Sequence, residues 1–160
     1  MTPNESFDTC MRAFADALGV DLPERDADDE VVLAVDGAEV SFREDADGGT
    51  VLLVAEIGEM PPDAGGAFAA VALQANYAAT GGTALSLDAE EGELFATSSL
   101  PLALADPDTL SRAVEALVDT AAQWRRLATA FLDVDEEAAL SKADEEDASP
   151  LSGVPDFIRV

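Results

Sequence analysis

The segment Leu73 to Asp88, L-Q-A-N-Y-A-A-T-G-G-T-A-L-S-L-D, constrains the fold more than any other part of this chain. An apolar helical run ends there at Gly81-Gly82, and an alternating strand pattern begins. Glycine accepts the left-handed backbone that stops a helix tightly. The run before the glycines is rich in alanine (Ala64, Ala67, Ala69, Ala70, Ala72, Ala75, Ala78, Ala79). Small side chains let another backbone approach closely and lose little entropy on ordering, which marks a packing helix and suits one that meets its own copy. Val71, Gln74, Ala75 and Tyr77, with Leu85 and Leu87 of the following strand, are the candidate dimer-interface residues.

The rest of the chain punctuates cleanly. A first helix is predicted over Pro3 to Leu18, with Thr2 as N-cap, Glu5 closing a capping box and Gly19 as the stop. Phe7, Cys10, Met11, Phe14 and Leu18 share one of its faces. Past an acidic linker, P-E-R-D-A-D-D-E, strands are predicted at Val31 to Val35 and Glu39 to Glu44, joined by Asp36-Gly37, a dipeptide that favours the primed hairpin turns. A second turn, D-A-D-G-G, leads to a strand from Thr50 to about Ile57. Its apolar residues on both faces predict a central position covered on both sides. Pro61-Pro62-Asp63 breaks that strand and starts helix 2, which ends near Thr80. Strands at Thr83 to Leu87 and Leu94 to Leu100 flank D-A-E-E-G, and a long amphipathic third helix opens at Asp106-Pro107 and closes the domain with Phe131. From Asp133 acidic blocks and prolines predict a flexible acidic tail.

This order, α-β-β-β-α-β-β-α, belongs to the α+β class: an antiparallel, five-stranded twisted sheet with three helices over residues 1–132, and a tail over 133–160. The pattern A-N followed by T-G-G-T-A-L-S-L-D resembles the central segment of the type III secretion chaperones of the Tir chaperone family, which are small acidic homodimers. Further matching points stand in order: Leu18-Gly19, V-D-G at Val35 to Gly37, G-E-M-P-P at Gly58 to Pro62, L-P-L at Leu100 to Leu102, and Trp124-Arg125. The resemblance runs from about residue 5 to 132 and does not include the tail.

Charge narrows the partners. With 34 acidic residues against eight basic ones, the net charge is -26. Nucleic acid needs a basic patch, and no basic cluster larger than Arg125-Arg126 exists, so no nucleic-acid partner is expected. The acidity fits either a basic protein partner or general solubility and adaptation to high salt. The first residues lack the pattern of a signal peptide, and no stretch approaches the roughly 18 apolar residues that span a bilayer. A cytoplasmic protein without membrane insertion is expected.

Catalysis finds little support. Histidine, the commonest general base, is absent. Cys10 lies in an apolar stripe, and carboxylate pairs are too abundant for any one spacing to be diagnostic. D-A-D-G-G and R-D-A-D-D-E fail the register of a calcium loop: with Gly48 at its sixth position, Arg43 falls at the first and Val54 at the twelfth. Gly48-Gly49 leads into a strand and makes no phosphate cradle. The expectation is therefore no catalytic residue, no metal and no cofactor.

Surface for other proteins remains. Phe7, Met11, Phe14, Leu22, Val31, Leu33 and Val35 are the candidate partner-binding residues, with ordinary core as the alternative reading for each. The family resemblance implies hydrophobic patches and a sheet edge around which the unfolded N-terminal segment of a secreted effector wraps, strand addition supplying the backbone pairing. It thus implies a non-enzymatic homodimeric chaperone delivering effectors to a type III secretion system. The alternative is an acidic polyanion mimic or regulator that binds a basic protein.

Overall fold

The computed structural model describes residues 3–45, 47, 49–62, 66–78 and 82–147, with side chains described within 6–132. Helix α1 (Pro3–Leu18) comes first. It stops at Gly19, whose φ of 70° is left-handed. The N–H of Val20 donates to Ala15 O and that of Gly19 to Asp16 O, both at 3.1 Å, the paired bonds of a Schellman cap. The capping box of Thr2 and Glu5 lies outside the described residues.

Strands β1 (Val31–Val35) and β2 (Ala38–Glu44) form the expected hairpin. Asp36 and Gly37 take φ values of 50° and 81°, both left-handed, as a type I′ turn demands. That turn sets Val35 against Ala38, and the same register places Val31, Leu33, Val40 and Phe42 together on the buried face. Strand β3 (Thr50–Glu59) follows a turn closed by Asp45, whose Oδ1 accepts from the N–H groups of Gly49 (3.0 Å) and Thr50 (3.3 Å). Strands β4 (Thr83–Leu87) and β5 (Glu93–Pro101) complete an antiparallel sheet in the order β1-β2-β3-β5-β4, so β3 is central as expected.

The coverage of β3 differs from expectation. Val51, Leu53, Ala55 and Ile57 are buried, whereas Leu52 and Val54 on the other face are half-buried. The sheet is therefore packed on one face. Leu52 and Val54 are shielded by strand neighbours, Arg43 and Ser41 on β2 and Ser99 and Thr97 on β5. A central strand can thus carry apolar side chains on a face that no second layer of described residues covers.

Helix α2 spans Ala67–Ala78, and Gly82 beyond it has a φ of 79°. Pro61 and Pro62 precede the helix without joining it, while 63–65 and Gly81 lie outside the described residues. Helix α3 (Pro107–Asp147) opens at Asp106, whose Oδ1 accepts from the N–H of Thr109 at 2.8 Å, an N-cap bond. The expected end near Leu132 is not where the backbone helix ends, since α3 runs fifteen residues further, to Asp147. Its extension, D-V-D-E-E-A-A-L-S-K-A-D-E-E-D, is dominated by Ala, Leu, Glu and Lys, which are good helix formers however acidic the composition. The rest of the tail, 148–160, lies outside the described residues.

The core lies between the sheet and the helices. Phe7, Met11 and Phe14 from α1 meet Phe42 of β2, with the Phe14 and Phe42 ring centroids 5.7 Å apart. Leu110, Val114 and Leu117 extend it along α3. Phe68 brings in α2, standing edge-on to Trp124 (5.7 Å, 88°) and Phe131 (5.1 Å, 87°). Burying each large side chain contributes about 1.5–3 kcal/mol.

Candidate protein-binding site

An open sheet has two edges, and this fold treats them differently. The edge at β4 is occupied by Asn76 of α2. Its Nδ2 donates to Leu85 O at 3.0 Å, and its Oδ1 accepts from Leu85 N–H at 2.7 Å. One carboxamide thus does what a further strand would do at the middle of β4. At the other edge, β1 pairs with β2 alone, and among the described residues no strand lies beyond it. Because the I′ turn makes Val35 and Ala38 a hydrogen-bonded pair, the alternation leaves the N–H and C=O groups of Val32 and Ala34 pointing away from the sheet. Val32 is exposed, as is Ala34. This edge is a template for an extended segment.

The linker into that edge is fastened by two arginines. Arg25 donates from Nη2 (2.6 Å) and Nε (3.2 Å) to Asp8 of α1, and from Nη1 (2.8 Å) to Asp29. Its guanidinium lies over the Phe7 ring, 4.7 Å from the centroid. Arg43 reaches Glu30 at 3.4 Å. Asp26 closes the turn by accepting at 2.9 Å from the N–H groups of both Asp28 and Glu30. Of the carboxylates that resemble a calcium loop, Asp26, Asp29, Glu30 and Asp45 are engaged in turn and ion-pair bonds. Among the described residues no group of three or more His, Cys, Asp or Glu side chains is arranged to hold a metal ion.

The structure separates the partner-binding candidates. Phe7, Met11 and Phe14 are no more than 1% exposed, and Val31 and Leu33 no more than 5%. They belong to the core of the single chain, so the apolar face of α1 is packed on the sheet and does not form an open groove. The reason is the hairpin register, which turns Val31 and Leu33 toward α1 and gives its stripe a partner. Leu22 and Val35 are half-buried against that core. Val32 lies on the alternate face of the same strand and outside the apolar periodicity, which marks the buried set.

The dimer candidates are on or near the surface. Val71, Gln74, Tyr77 and Leu87 are exposed, and Ala75 and Leu85 are half-buried. Leu73, 70% exposed, joins them. The α2 helix points Phe68 inward and presents Leu73 and Tyr77 to solvent, although it carries no charged residue.

Two further side chains explain motifs of the sequence. At Ile57 β3 shifts register, with Glu56 opposite Phe95 and Gly58 opposite Leu94. Arg125 takes the carbonyls at this bulge, donating from Nε to Ile57 O (3.0 Å) and from Nη2 to Glu56 O (2.7 Å). Trp124 and Arg125 together therefore pin α3 to both α2 and β3. Cys10 donates its S–H to Ala105 O at 3.0 Å. Burial, and then the nearby Asp106 carboxylate, push its pKa up, which keeps the thiol protonated and poorly nucleophilic at neutral pH. Among the described residues no helix is long and apolar enough to cross a membrane.

Among the described residues the chain is a five-stranded antiparallel sheet packed by helices on one face, with Asn76 bonded to the middle of one edge strand and no strand beyond the other. The chain belongs to the Tir chaperone protein (CesT) family, whose model matches residues 9–125. Solved structures share the fold. A chain of the ExsC-ExsE complex is 19% identical with a TM-score of 0.64, covering 80% of this chain and 97% of that one. A chain of the HopA1-SchA chaperone-effector complex is 22% identical with a TM-score of 0.62, covering 77% and 95%. A chain of the ExoT-SpcS complex from Pseudomonas aeruginosa is 22% identical with a TM-score of 0.60, covering 75% and 97%. No curated protein matches the chain in sequence.

Proposed function

We propose that this chain is a non-enzymatic chaperone of the bacterial cytoplasm that works as a homodimer. It binds the unfolded N-terminal segment of a secreted effector and delivers it to a type III secretion system. Family membership supports the chaperone role, and a chain of similar fold occurs in a complex described as chaperone-effector. The single observation that carries the binding mode is the open β1 edge, opposite a β4 edge whose middle residue, Leu85, is bonded by Asn76. An effector segment pairs with the outward groups of Val32 and Ala34, its side chains resting near Leu22 and Val35. Phe7, Met11, Phe14, Val31 and Leu33 form the floor beneath this site. The acidic surface draws basic effector segments from a distance and speeds encounter. The mimic reading is the weaker one, because Asp26, Asp45 and Asp88 spend their carboxylates on backbone N–H groups of their own turns.

Coexpression with the protein encoded beside this gene, followed by limited proteolysis of the purified complex, tests the reading. The expected product is a protected fragment from the N-terminal region of the partner. Binding that requires the folded partner, or no protected fragment, would overturn it.

A further inference from the structure

The linker between α1 and β1, residues 20–30, covers part of the core with a charged side chain. Phe7 is fully buried, and the Arg25 guanidinium lies over its ring, 4.7 Å from the centroid. Arg25 is held there by Asp8 of α1 and by Asp29 of the linker itself. Those two carboxylate side chains are 50% and 74% exposed, and ion pairs that meet water hold weakly. Leu22 adds a half-buried apolar contact. The backbone bonds of the linker's turn, from Asp26 N–H to Glu30 O (2.9 Å) and from Asp29 N–H to Asp26 O (3.2 Å), close it on itself and do not reach helix or sheet.

A second group opposes this closure. Glu44 ends β2 on the same face as Val40 and Phe42, which are buried under the helices. Its Oε1 is buried without a hydrogen-bond partner among the described residues. Burial pushes its pKa up; Arg25 partly offsets this, while Asp45 beside it, Asp8 of α1 and Asp29 of the linker add to the rise. Arg25 is already bonded to two of those three carboxylates. The charged form of Glu44 is therefore penalised as long as the linker lies closed, and water that enters when the linker lifts relieves it.

We infer that residues 20–30 form a displaceable strap: Arg25 latches it to Asp8 over Phe7, and the buried carboxylate of Glu44 loads it to open. Opening bares Phe7 and Leu22 just before the first residue of β1, beside the edge where the effector segment pairs. The strap thereby sets the rate of capture. Only this last consequence rests on the chaperone reading above.

Limited trypsin digestion of the full chain at neutral pH, followed by mass spectrometry, reads the latch directly. Cleavage after Arg25 requires its side chain to leave Asp8 and enter the specificity pocket of the protease. Asp8→Asn is expected to speed that cleavage at least threefold and Glu44→Gln to slow it at least threefold, although neither alters the sequence around the cleaved bond. Cleavage after Arg125, whose side chain is bonded to β3, reports global unfolding instead. If both variants act in the same direction, if neither acts, or if cleavage after Arg25 simply follows cleavage after Arg125, the strap is overturned. Capture of the protein encoded beside the gene should quicken with Asp8→Asn and slow with Glu44→Gln; unchanged capture rates would overturn the role in capture. A chain that captures no partner would overturn the chaperone reading and leave the strap to be decided by the cleavage.

Discussion

Asn76 and Leu85 are joined by two hydrogen bonds, of 3.0 and 2.7 Å, that run from a helix side chain to both backbone groups of one edge-strand residue. Removing the carboxamide would leave the N–H and C=O of a half-buried residue without partners, at about 1–3 kcal/mol. Asn76→Ala is expected to lower the urea midpoint with an unchanged m-value. A second consequence is a newly open β4 edge, visible as faster amide exchange at Leu85.

Val32→Pro tests the open edge directly. The Val32 N–H faces away from β2, so its loss breaks no bond within the sheet, and proline is tolerated on such an edge. The variant should keep its fold and lose at least tenfold in effector affinity. Full affinity would mean that the segment binds elsewhere.

Arg125→Lys should destabilise, because an ammonium cannot span two carbonyls as a fork does. The side chain is largely exposed, which limits the loss to about 1 kcal/mol. Chemical denaturation measures it, and Arg125→Ala should cost at least as much.

Two carboxyls give opposite pH dependences. Bonds from Thr109, first from its backbone N–H and then from its side chain, hold the Asp106 pKa below the usual value. This stabilisation is present above the unfolded pKa and is lost as pH falls through the lowered one. In contrast, burial raises the pKa of Glu44, with Asp45, Asp8 and Asp29 adding to the rise and Arg25 opposing it. Its Oε1 is buried without a hydrogen-bond partner among the described residues. The charged form therefore carries a penalty above the raised pKa that disappears below the ordinary value of 4.5. Glu44→Gln should raise the melting temperature at pH 7 and change it little at pH 3. Asp106→Asn should keep the helix cap and flatten the loss in acid.

Salt should stabilise the fold and slow effector capture. Screening of a net charge of -26 relieves self-repulsion, since charges more than ~8 Å apart are largely screened at physiological ionic strength. The melting temperature should rise with sodium chloride, and stopped-flow association should slow while the dissociation rate changes little. A complex that falls apart in high salt would instead favour the polyanion mimic.

Elements bounded by strong local chemistry were legible beforehand. Asp36-Gly37 fixed a hairpin because few dipeptides accept two left-handed residues, and Asp106-Pro107 marked a helix start because it combines a cap with a ready-made φ. Helix α3 runs past Leu132 to Asp147 because Glu and Ala propagate a helix well, whereas acidic composition alone predicts a flexible tail. For the candidate partner-binding residues the sequence leaves two readings, groove or core. An apolar stripe identifies a surface that will be covered, and only the packed fold shows whether the cover is the chain's own sheet or another molecule. For Phe7, Met11 and Phe14 it is the sheet.

Local rules act between neighbours in the chain, so the sequence by itself determined the order of elements, the turn type between β1 and β2, the antiparallel class and the family. Contacts between distant residues were decided by the tertiary structure: which face of β3 is covered, and which sheet edge remains open. Asn76 carries the clearest trace of this division. In the sequence it is a polar residue in an alanine-rich helix, a signal that something takes its hydrogen bonds. Only the packing of α2 beside β4 identifies that something as Leu85, because hydrogen bonding requires an approach to within about 3 Å that no spacing along the chain specifies.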